Sequence, residues 1–349
     1  MYRSSDGKFD IKNCTLPELE AWVASLGERP YRARQIMRWV YEKEASSFEV
    51  MTELPQSLRD RLDSVAYISH FSVKSVARSS DGTQKFLFTM EEGSTIESVL
   101  IPEKNHHTIC VSTQLGCALG CAFCLSGKRG LVRNLSSAEM INQIYTIKRD
   151  FLPKAATVNI VFMGMGEPLA NYDHLLKALQ ILTDPCGFNF SHRRITVSTA
   201  GLLPQIDRLS RDLPVNLAIS LNAATDALRT RLMPINTTYP LAELIAAASR
   251  ASLPARKRIT FEYILIKGIN DSLQDARDLA SLLRHVHCKI NLIPFNEHEG
   301  AGFKTPDSAT VENFRQVLLA KHFTVMVRQS KGRDVAAACG QLGYKHIPP

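Results

Sequence analysis

Two hydrophobic periods divide the chain into regions with different predicted structure. Over residues 15–65, apolar positions recur every three or four residues, which predicts helices at 16–26, 31–41 and 57–62. From residue 66 to 102 the period changes to two, as in Phe71, Val73 and Val76, and the pair Asp81-Gly82 is typical of a hairpin turn. The first region is therefore predicted to be helical and the second to be an antiparallel ribbon.

The rest of the chain alternates between the two periods. Candidate strands lie at 108–112, 157–163, 194–198, 215–221, 259–266, 289–293 and 324–328, and candidate helices at 138–151, 173–182, 204–210, 241–251, 273–283 and 311–319. Such alternation predicts parallel β/α units. Because there are fewer units than an eight-fold barrel needs, we expect an α/β fold built on an open or six-fold barrel.

This pattern predicts three regions. Residues 1–65 form an N-terminal helical accessory domain, residues 66–102 form an antiparallel β linker, and residues 103–349 form the β/α barrel core with a C-terminal segment. Polar residues and cysteines follow the ends of the predicted strands, where parallel barrels place their active sites. These residues are Cys117, Cys121, Cys124, Gly166, Glu167, Ser198, Ser220, Leu221, Asn222 and Asn296.

Three cysteines form the most informative motif. Cys117, Cys121 and Cys124 are separated by three and then two residues, and no fourth cysteine continues the pattern. A structural zinc site and a cubane iron–sulfur cluster each normally take four protein ligands. Three thiolates on a cluster leave one iron open for a substrate or cofactor. A zinc site completed by His106 or His107, or a loop of reduced thiols, are the alternatives.

Composition and charge narrow the class of protein. The chain has 349 residues, 45% hydrophobic composition, a net charge of +8 and eight cysteines. The positive charge favours a polyanionic partner, most commonly a nucleic acid. The N-terminal residues do not have the pattern of a signal peptide, and no apolar run reaches the roughly 20 residues of a membrane helix. We expect a cytoplasmic enzyme with no membrane partner.

The cysteine motif together with the run from Gly164 to Pro168 resembles the radical S-adenosylmethionine (SAM) enzymes. The resemblance implies a 4Fe–4S cluster held by Cys117, Cys121 and Cys124. It also implies that the open iron chelates SAM, which an electron cleaves to a 5′-deoxyadenosyl radical. A reducing electron donor such as flavodoxin or ferredoxin and a monomeric state are expected with it.

Further residues narrow the resemblance. Cys110, Cys339 and the run from Met233 to Asn236 are similar to those of the dual-specificity ribosomal and transfer RNA adenine methyltransferases. The resemblance implies that 23S rRNA and tRNA are methylated on carbon 2 of adenine. It implies that Cys339 carries the methyl group, that Cys110 resolves the protein–RNA crosslink by forming a disulfide, and that Glu97 accepts a proton.

The same resemblance suggests residues that bind SAM. Gly166 and Glu167 would meet its amino group, and the remaining contacts to ribose, carboxylate or adenine would come from Ser198, Ser220, Leu221, Asn222 and Asn296. The family commonly has histidine where this chain has Asn222, so that contact is expected to run through the backbone. Lys128, Arg129 and Arg133 follow the cluster motif and are expected to hold RNA phosphates at the mouth of the site.

Other functions share parts of this pattern. A sister group of antibiotic-resistance enzymes has both extra cysteines but methylates carbon 8, and Pro168 and the Pro294-Phe295-Asn296 run favour the carbon 2 enzymes. A radical SAM activase acting on protein would need the cluster but neither Cys110 nor Cys339. A zinc-containing RNA-binding protein is the non-enzymatic alternative.

Overall fold

The computed structural model describes residues 7–251 and 258–343, so residues 1–6, 252–257 and 344–349 of the predicted regions lie outside the described part. The three predicted N-terminal helices are confirmed as α1 (Leu16–Ser25), α2 (Tyr31–Tyr41) and α3 (Gln56–Val65). The sequence pattern missed two short strands around them, β1 (Phe9–Asp10) and β2 (Ala66–Tyr67), which pair in parallel. Two residues are too few to show a period.

A buried polar contact attaches this N-terminal region to the barrel. Lys12 is completely buried, and its Nζ donates to the carbonyl of Ser69 and to Oδ1 of Asn142, both at 2.8 Å. Asp10, also buried, accepts the N–H of Lys12 at 3.1 Å. Because a buried charge is costly unless it is bonded, these contacts hold the N-terminal region in one position on the core.

The predicted ribbon is present, and it belongs to the main sheet. Strands β3 (Ser72–Arg78), β4 (Gln84–Thr89) and β5 (Thr95–Pro102) pair antiparallel in succession. Strand β5 then pairs antiparallel with β6 (His107–Cys110), the first strand of the barrel. The ribbon therefore continues the barrel sheet beyond β6, and its turns lie beside the barrel.

After β6 the chain makes a separate hairpin and then the β/α units. The hairpin is β7 (Gln114–Cys117) and β8 (Gly130–Asn134), with α4 (Leu125–Lys128) between its strands. The later strands are β9 (Val158–Phe162), β10 (Ile195–Thr199), β11 (Asn216–Ser220), β12 (Ile259–Leu265), β13 (Cys288–Pro294) and β14 (Thr324–Val327). The later helices are α5 (Ser137–Phe151), α6 (Tyr172–Thr183), α7 (Leu203–Asp212), α8 (Asp226–Leu232), α9 (Leu241–Arg250), α10 (Leu273–Leu283) and α11 (Ser308–Leu319).

The sheet confirms an open β/α barrel. Its order is β14-β13-β12-β11-β10-β9-β6-β5-β4-β3, and the pairs from β6 through β14 are parallel. Within the described residues, β14 and β3 are the two edges, so the sheet does not close. The carboxyl ends of all the parallel strands therefore lie at the same end of the barrel. Across the described residues, no helix has the length and apolar character needed to span a membrane.

Candidate active site

One cavity opens at the carboxyl ends of the parallel strands and collects most of the predicted site residues. It encloses about 810 Å³, its open mouth included. The predicted site residues in its wall are Cys117, Cys121, Cys124, Gly166, Glu167, Ser198, Ser220, Asn222 and Cys339. Met163, Thr199, Met233 and Glu262 also line it. The cavity lies where the sequence predicted a site.

The cysteine loop begins at the hairpin. Cys117 ends β7 and pairs with Gly130 of β8, and Cys124 directly precedes α4. Gly116 has a φ of +80°, and a Cβ there would lie 1.9 Å from the carbonyl oxygen of Gly130, so only glycine lets the two strands approach this closely. Burial raises the pKa of the Cys117 thiol to about 11 and raises that of Cys121 as well. Such thiols need a metal to hold them as thiolates.

The arrangement suits a cluster better than a single ion. Among the described residues, no three His, Cys, Asp or Glu side chains are grouped to hold one metal ion. A four-iron cluster binds each thiolate on a different iron, so its ligands surround a volume and need not meet at one point. Three cysteines that line one cavity fit that requirement.

Two glycines let the next loop pass close to the first. A Cβ on Gly164 would lie 2.6 Å from Oγ of Ser112, and one on Gly166 would lie 2.5 Å from Cβ of Gln114. Gly166 also has a φ of +96°. The N–H of Glu167 donates to Oε1 of Gln114 at 2.8 Å. Close approach of backbone to backbone therefore explains the glycines, and it brings Glu167 into the cavity.

Glu167 is held by backbone donors in an apolar setting. Its Oε1 accepts the N–H of Leu169 at 3.1 Å, and its Oε2 accepts the N–H of Ala200 at 2.8 Å. Burial raises the pKa of this carboxyl to about 7, and the hydrogen bonds oppose the shift. The side chain of Thr199 is a third hydrogen-bond partner, so a carboxylate with about four lone-pair sites can accept from one additional cationic donor in the cavity.

The loop after β11 turns at Asn222, which has a φ of +60°. Asparagine tolerates this left-handed conformation better than most residues. Its Oδ1 accepts the N–H of Ile264 at 2.8 Å, and its Nδ2 lies 3.2 Å from Sδ of Met233. The side chain is therefore engaged with protein groups. Leu221, beside it, is fully buried in the core and does not line the cavity.

A fully buried arginine supports these strand ends. Nη2 of Arg229 donates to the carbonyl of Ala200 at 2.7 Å, and Nε donates to that of Leu221 at 3.2 Å. Nη1 donates to Oδ1 of Asn236 at 3.0 Å. These contacts explain the run from Met233 to Asn236, because Met233 lines the cavity and Asn236 anchors the arginine that shapes it.

The two additional cysteines influence each other electrostatically. Cys110 ends β6 and is buried, and Cys339 lines the cavity from the C-terminal segment. Burial raises the pKa of Cys110 to about 12, and a charge on Cys339 would raise it further. Arg328 interacts electrostatically with both cysteines. Its Nη1 also lies 3.9 Å from Sδ of Met163, which lines the cavity. The cationic guanidinium opposes the effect of burial on the pKa of Cys110.

Sequence reasoning did not identify Arg328 or Glu262. Glu262 lies in β12, lines the cavity and accepts from Nδ2 of Asn291 at 3.1 Å. Burial raises the pKa of its carboxyl, while nearby Arg328 lowers it. The available signal was a lone acidic residue inside the otherwise apolar strand 259–266 and an arginine directly after the last strand.

Four predicted site residues lie outside the cavity wall, namely Cys110 and Leu221, described above, and Asn296 and Glu97. Asn296 donates from Nδ2 to the carbonyl of Cys339 at 3.1 Å, so it contacts the segment that carries this cysteine. Glu97 is buried on β5, where Oε1 forms an ion pair with Lys85 at 3.2 Å and Oε2 accepts the N–H of Gly343 at 2.6 Å. Asn296 therefore contacts Cys339 itself, and Glu97 contacts the end of the same C-terminal segment.

Of the three residues expected to bind phosphate, the structure argues against one. Arg133 forms ion pairs with Glu92 and Glu139, and its Nη1 donates to Oε2 of Glu139 at 2.9 Å. This arginine therefore fixes the first turn of α5, and it is a poor candidate for binding RNA. Lys128 is exposed and donates to the carbonyl of Gly300, and Arg129 beside it is half-buried.

Comparisons with known proteins agree over nearly the whole chain. The family profile described as "Ribosomal RNA large subunit methyltransferase N-terminal domain" matches residues 9–68, and the Radical SAM superfamily profile matches residues 111–280. A Geobacter sulfurreducens protein named Dual-specificity RNA methyltransferase RlmN is 52% identical over 340 residues, which cover 97% of this chain and 93% of the relative. A Geotalea uraniireducens protein of the same name is 50% identical, with 96% of each chain covered.

The fold agrees as well. The crystal structure of a radical SAM methyltransferase from Sphaerobacter thermophilus superposes with a TM-score of 0.90 at 44% identity, covering 95% of this chain and 98% of that one. The chain therefore belongs to the RlmN family of dual-specificity RNA methyltransferases and is a radical SAM enzyme with a 4Fe–4S cluster and SAM as its cofactors.

Proposed function

We propose that this enzyme methylates carbon 2 of adenine in 23S rRNA and tRNA through a methyl group carried on Cys339. The observation that supports this most is the position of Cys339, which shares a cavity with the three cysteines of the cluster motif. Cys110 is near enough to Cys339 for a charge on one to raise the pKa of the other, which supports a role for Cys110 as the resolving thiol. A radical SAM activase would have no use for this pair.

Different residues around the cavity would bind the cluster and SAM. Cys117, Cys121 and Cys124 would hold the cluster, with the thiolates retained by iron despite their burial. Gly166 and Glu167 would meet the amino group of SAM, with the glycine allowing close backbone approach. When bound, the cluster and SAM supply the methyl group and the one-electron chemistry that removes hydrogen from an unactivated carbon.

The remaining SAM contacts would come from the strand ends. Ser198 and Ser220 line the cavity and offer hydroxyl groups to ribose or carboxylate. Because the amide of Asn222 is bonded to Ile264, we expect any contact from this residue to use its backbone. Leu221 would contribute through its backbone alone, and Asn296 would act on SAM only indirectly, by holding Cys339.

Cys339 and Cys110 would carry the methyl transfer. The sulfur of Cys339 takes the methyl group by displacement, which releases S-adenosylhomocysteine. After the carbon has bonded to adenine, the thiolate of Cys110 would attack the sulfur of Cys339. The carbon–sulfur bond would then break with its electron pair on the carbon, which takes up a proton to complete the methyl group, and a disulfide would form between the two cysteines. A thiol reductant must then reduce the disulfide. Arg328 interacts electrostatically with both cysteines, and it opposes the rise that burial causes in the pKa of Cys110.

The proton acceptor proposed at Glu97 requires a local change. Both of its oxygens are bonded, one to Lys85 and the other to the N–H of Gly343. Taking a proton from adenine would require the Gly343 contact to open or the carboxylate to use a second lone pair. The catalytic role of Glu97 stays a prediction.

The expected partners follow from charge and chemistry. The net charge of +8 favours RNA, whose phosphates would meet basic side chains such as Lys128 and Arg129 near the cysteine loop. The cluster needs an external one-electron donor, and a flavodoxin or ferredoxin has the required chemistry. We also propose that the enzyme acts in the cytoplasm, where its RNA substrates are, and as a monomer.

The test is to identify the modified nucleoside. Reconstituted enzyme would be incubated with a 23S rRNA fragment and with tRNA, and the digested nucleosides would be analysed by mass spectrometry against authentic standards. We expect 2-methyladenosine from both RNAs. 8-Methyladenosine would support the carbon 8 alternative instead, and an unmodified RNA with an active cluster would contradict the proposal.

Cysteine variants test the proposed route. Cys339→Ala is expected to bind the cluster and SAM but transfer no methyl group, whereas Cys110→Ala is expected to accumulate a nuclease-sensitive protein–RNA adduct on denaturing gels. Cys186→Ala, another buried thiol outside the cavity, is the matched control and should turn over normally. Normal turnover by Cys110→Ala would refute the two-cysteine route.

A further inference from the structure

The segment that carries Cys339 has little regular structure of its own. Between Gly332 and Gly343 it contains only a short 3₁₀ turn, Arg333–Val335. Gly332 has a φ of +68°, and a Cβ there would lie 2.8 Å from Cγ2 of Thr83. An irregular segment is positioned by what it contacts, so its anchors decide where the thiol lies.

The turn between β3 and β4 provides the first anchor. Oδ2 of Asp81 accepts the N–H of Gly332 at 2.9 Å. Oγ of Ser79 donates to Oδ1 of Asp334 at 2.6 Å, and the N–H of Ser80 donates to its Oδ2 at 3.0 Å. Three hydrogen bonds thus join the turn to the beginning of the segment, with charged acceptors in each, which makes them stronger than neutral ones.

The next two strands provide further anchors on both sides of the cysteine. Nζ of Lys85, on β4, donates to the carbonyl of Ala336 at 3.2 Å and pairs with Glu97 at 3.2 Å. Glu97, on β5, accepts the N–H of Gly343 at 2.6 Å. The ribbon therefore contacts the segment before and after Cys339.

The opposite side of the segment contacts the barrel. The N–H of Leu125 donates to the carbonyl of Gly340 at 2.9 Å, and Oγ of Ser126 donates to that of Leu342 at 2.7 Å. Both donors lie in α4, directly after the cysteine motif. The segment is thus held between the ribbon and the loop that carries the cluster ligands.

We propose that the antiparallel ribbon is a positioning element for methyl transfer, and that Ser79 and Asp81 keep Cys339 in register with the cavity and Cys110. The inference rests on the proposed role of Cys339. Cys339 is twelve positions beyond the end of β14 and has a reach on the order of 40 Å in a free chain, so a tether alone would leave the thiol dispersed. Reactions between groups held in place gain a large effective concentration, and they lose it when one group moves by about 1 Å.

The test compares an anchor variant with a matched control on the same ribbon. Ser79→Ala combined with Asp81→Ala removes two of the three turn contacts and leaves the bond from the N–H of Ser80 to Asp334. Asp334→Ala removes the two bonds that end on this residue and leaves Asp81 accepting from the N–H groups of Thr83 and Gly332. Lys74→Ala combined with Ser75→Ala changes two exposed side chains of β3 and serves as the control. Each protein is reconstituted with its cluster.

The two readouts are amide hydrogen exchange and the coupling of 5′-deoxyadenosine release to adenine methylation. We expect amides of the segment to exchange about tenfold faster in both anchor variants, the factor that corresponds to the net value of one hydrogen bond. The ratio of 5′-deoxyadenosine released to methylated adenine should rise several-fold, with iron content and the KM for SAM unchanged. A merely structural role for the ribbon would change the yield of folded protein but not this ratio.

Three results would overturn or redirect the inference. Exchange equal to that of the control would show that the turn does not hold the segment. Faster exchange with an unchanged ratio would show that holding the segment does not position the reaction. If Cys339 of the unmodified enzyme is never found methylated by intact-mass analysis, the proposed function fails, while the exchange measurement still decides whether the turn is an anchor.

Discussion

Replacing the buried Arg229 tests whether one side chain supports the strand ends around the cavity. Arg229 is completely buried, and burial lowers its pKa to about 10, so it remains charged at neutral pH. Its guanidinium donates to the carbonyls of Ala200, Ser220 and Leu221 and to the side chain of Asn236. Arg229→Met keeps much of the volume and removes all of these donors.

The expected cost follows from the acceptors left behind. Each buried carbonyl without a partner costs about 1–3 kcal/mol, and the relief of burying a charge offsets part of the sum, so we expect a net loss of about 4 kcal/mol. At about 2.1 cal/mol/K of unfolding entropy per residue, a chain of 349 residues should lose about 5 °C in Tm. The Tm of Arg229→Lys should lie between that of the parent and that of Arg229→Met, because one ammonium group cannot reach four acceptors.

The assay is thermal unfolding of the purified variants, with SAM binding by equilibrium dialysis as a second measurement. Arg231→Met, on the exposed side of the same helix, is the control and should stay within about 1 °C of the parent. Arg229→Met should also bind SAM more weakly, since Ala200 and Ser220 line the cavity. If Arg229→Met melts with the control and binds SAM normally, the supporting role assigned to this arginine is wrong.

Three further predictions address the cluster, the buried carboxyl and RNA binding. Cys117→Ala, Cys121→Ala and Cys124→Ala should each lose the iron and the absorbance near 400 nm of the reconstituted protein, because three ligands leave no spare, and a variant that keeps a full, active cluster would contradict the ligand set. The pKa of Glu167 is raised from 4.5 in the unfolded chain to about 7, so the folded state holds this proton more tightly and its contribution to stability falls as the pH rises from about 4.5 to 7. Glu167→Gln should therefore flatten that part of the Tm–pH profile, and an unchanged profile would show that another group causes the slope. RNA affinity should fall as salt rises, and Lys128→Ala combined with Arg129→Ala should reduce the salt dependence, whereas the same change at half-buried Arg59 and exposed Arg61 is the control for a general loss of charge.

Local patterns predicted the regular elements well, because a helical or strand period depends on neighbouring residues alone. Helix α2 spans Tyr31–Tyr41, as the apolar spacing indicated, and the ribbon lies where the period changes to two. The hairpin of β7 and β8 was missed. Its strands are four and five residues long, and Leu131 and Val132 are both exposed, so no one-sided alternation marks β8.

In the candidate site, too, local sequence indicated some features and only the tertiary structure showed others. The ligand set of Cys117, Cys121 and Cys124 could be predicted because its spacing lies within one loop. Gly164 and Gly166 were read as part of a motif, but only the tertiary structure shows that each makes room for a neighbouring segment.

Contacts between distant parts of the chain were decided by the tertiary structure. The order of strands in the open barrel brings Cys339 beside Cys110 and Arg328, and it turns Asn296 toward the C-terminal segment. The antiparallel pairing of β5 with β6 places the turn at Asp81 against Gly332. No local period encodes such pairings, because they depend on sheet order and loop path. The sequence by itself thus determined the elements and the spacing on which the proposed cluster ligands rest, and the packing of those elements decided which side chains share the site.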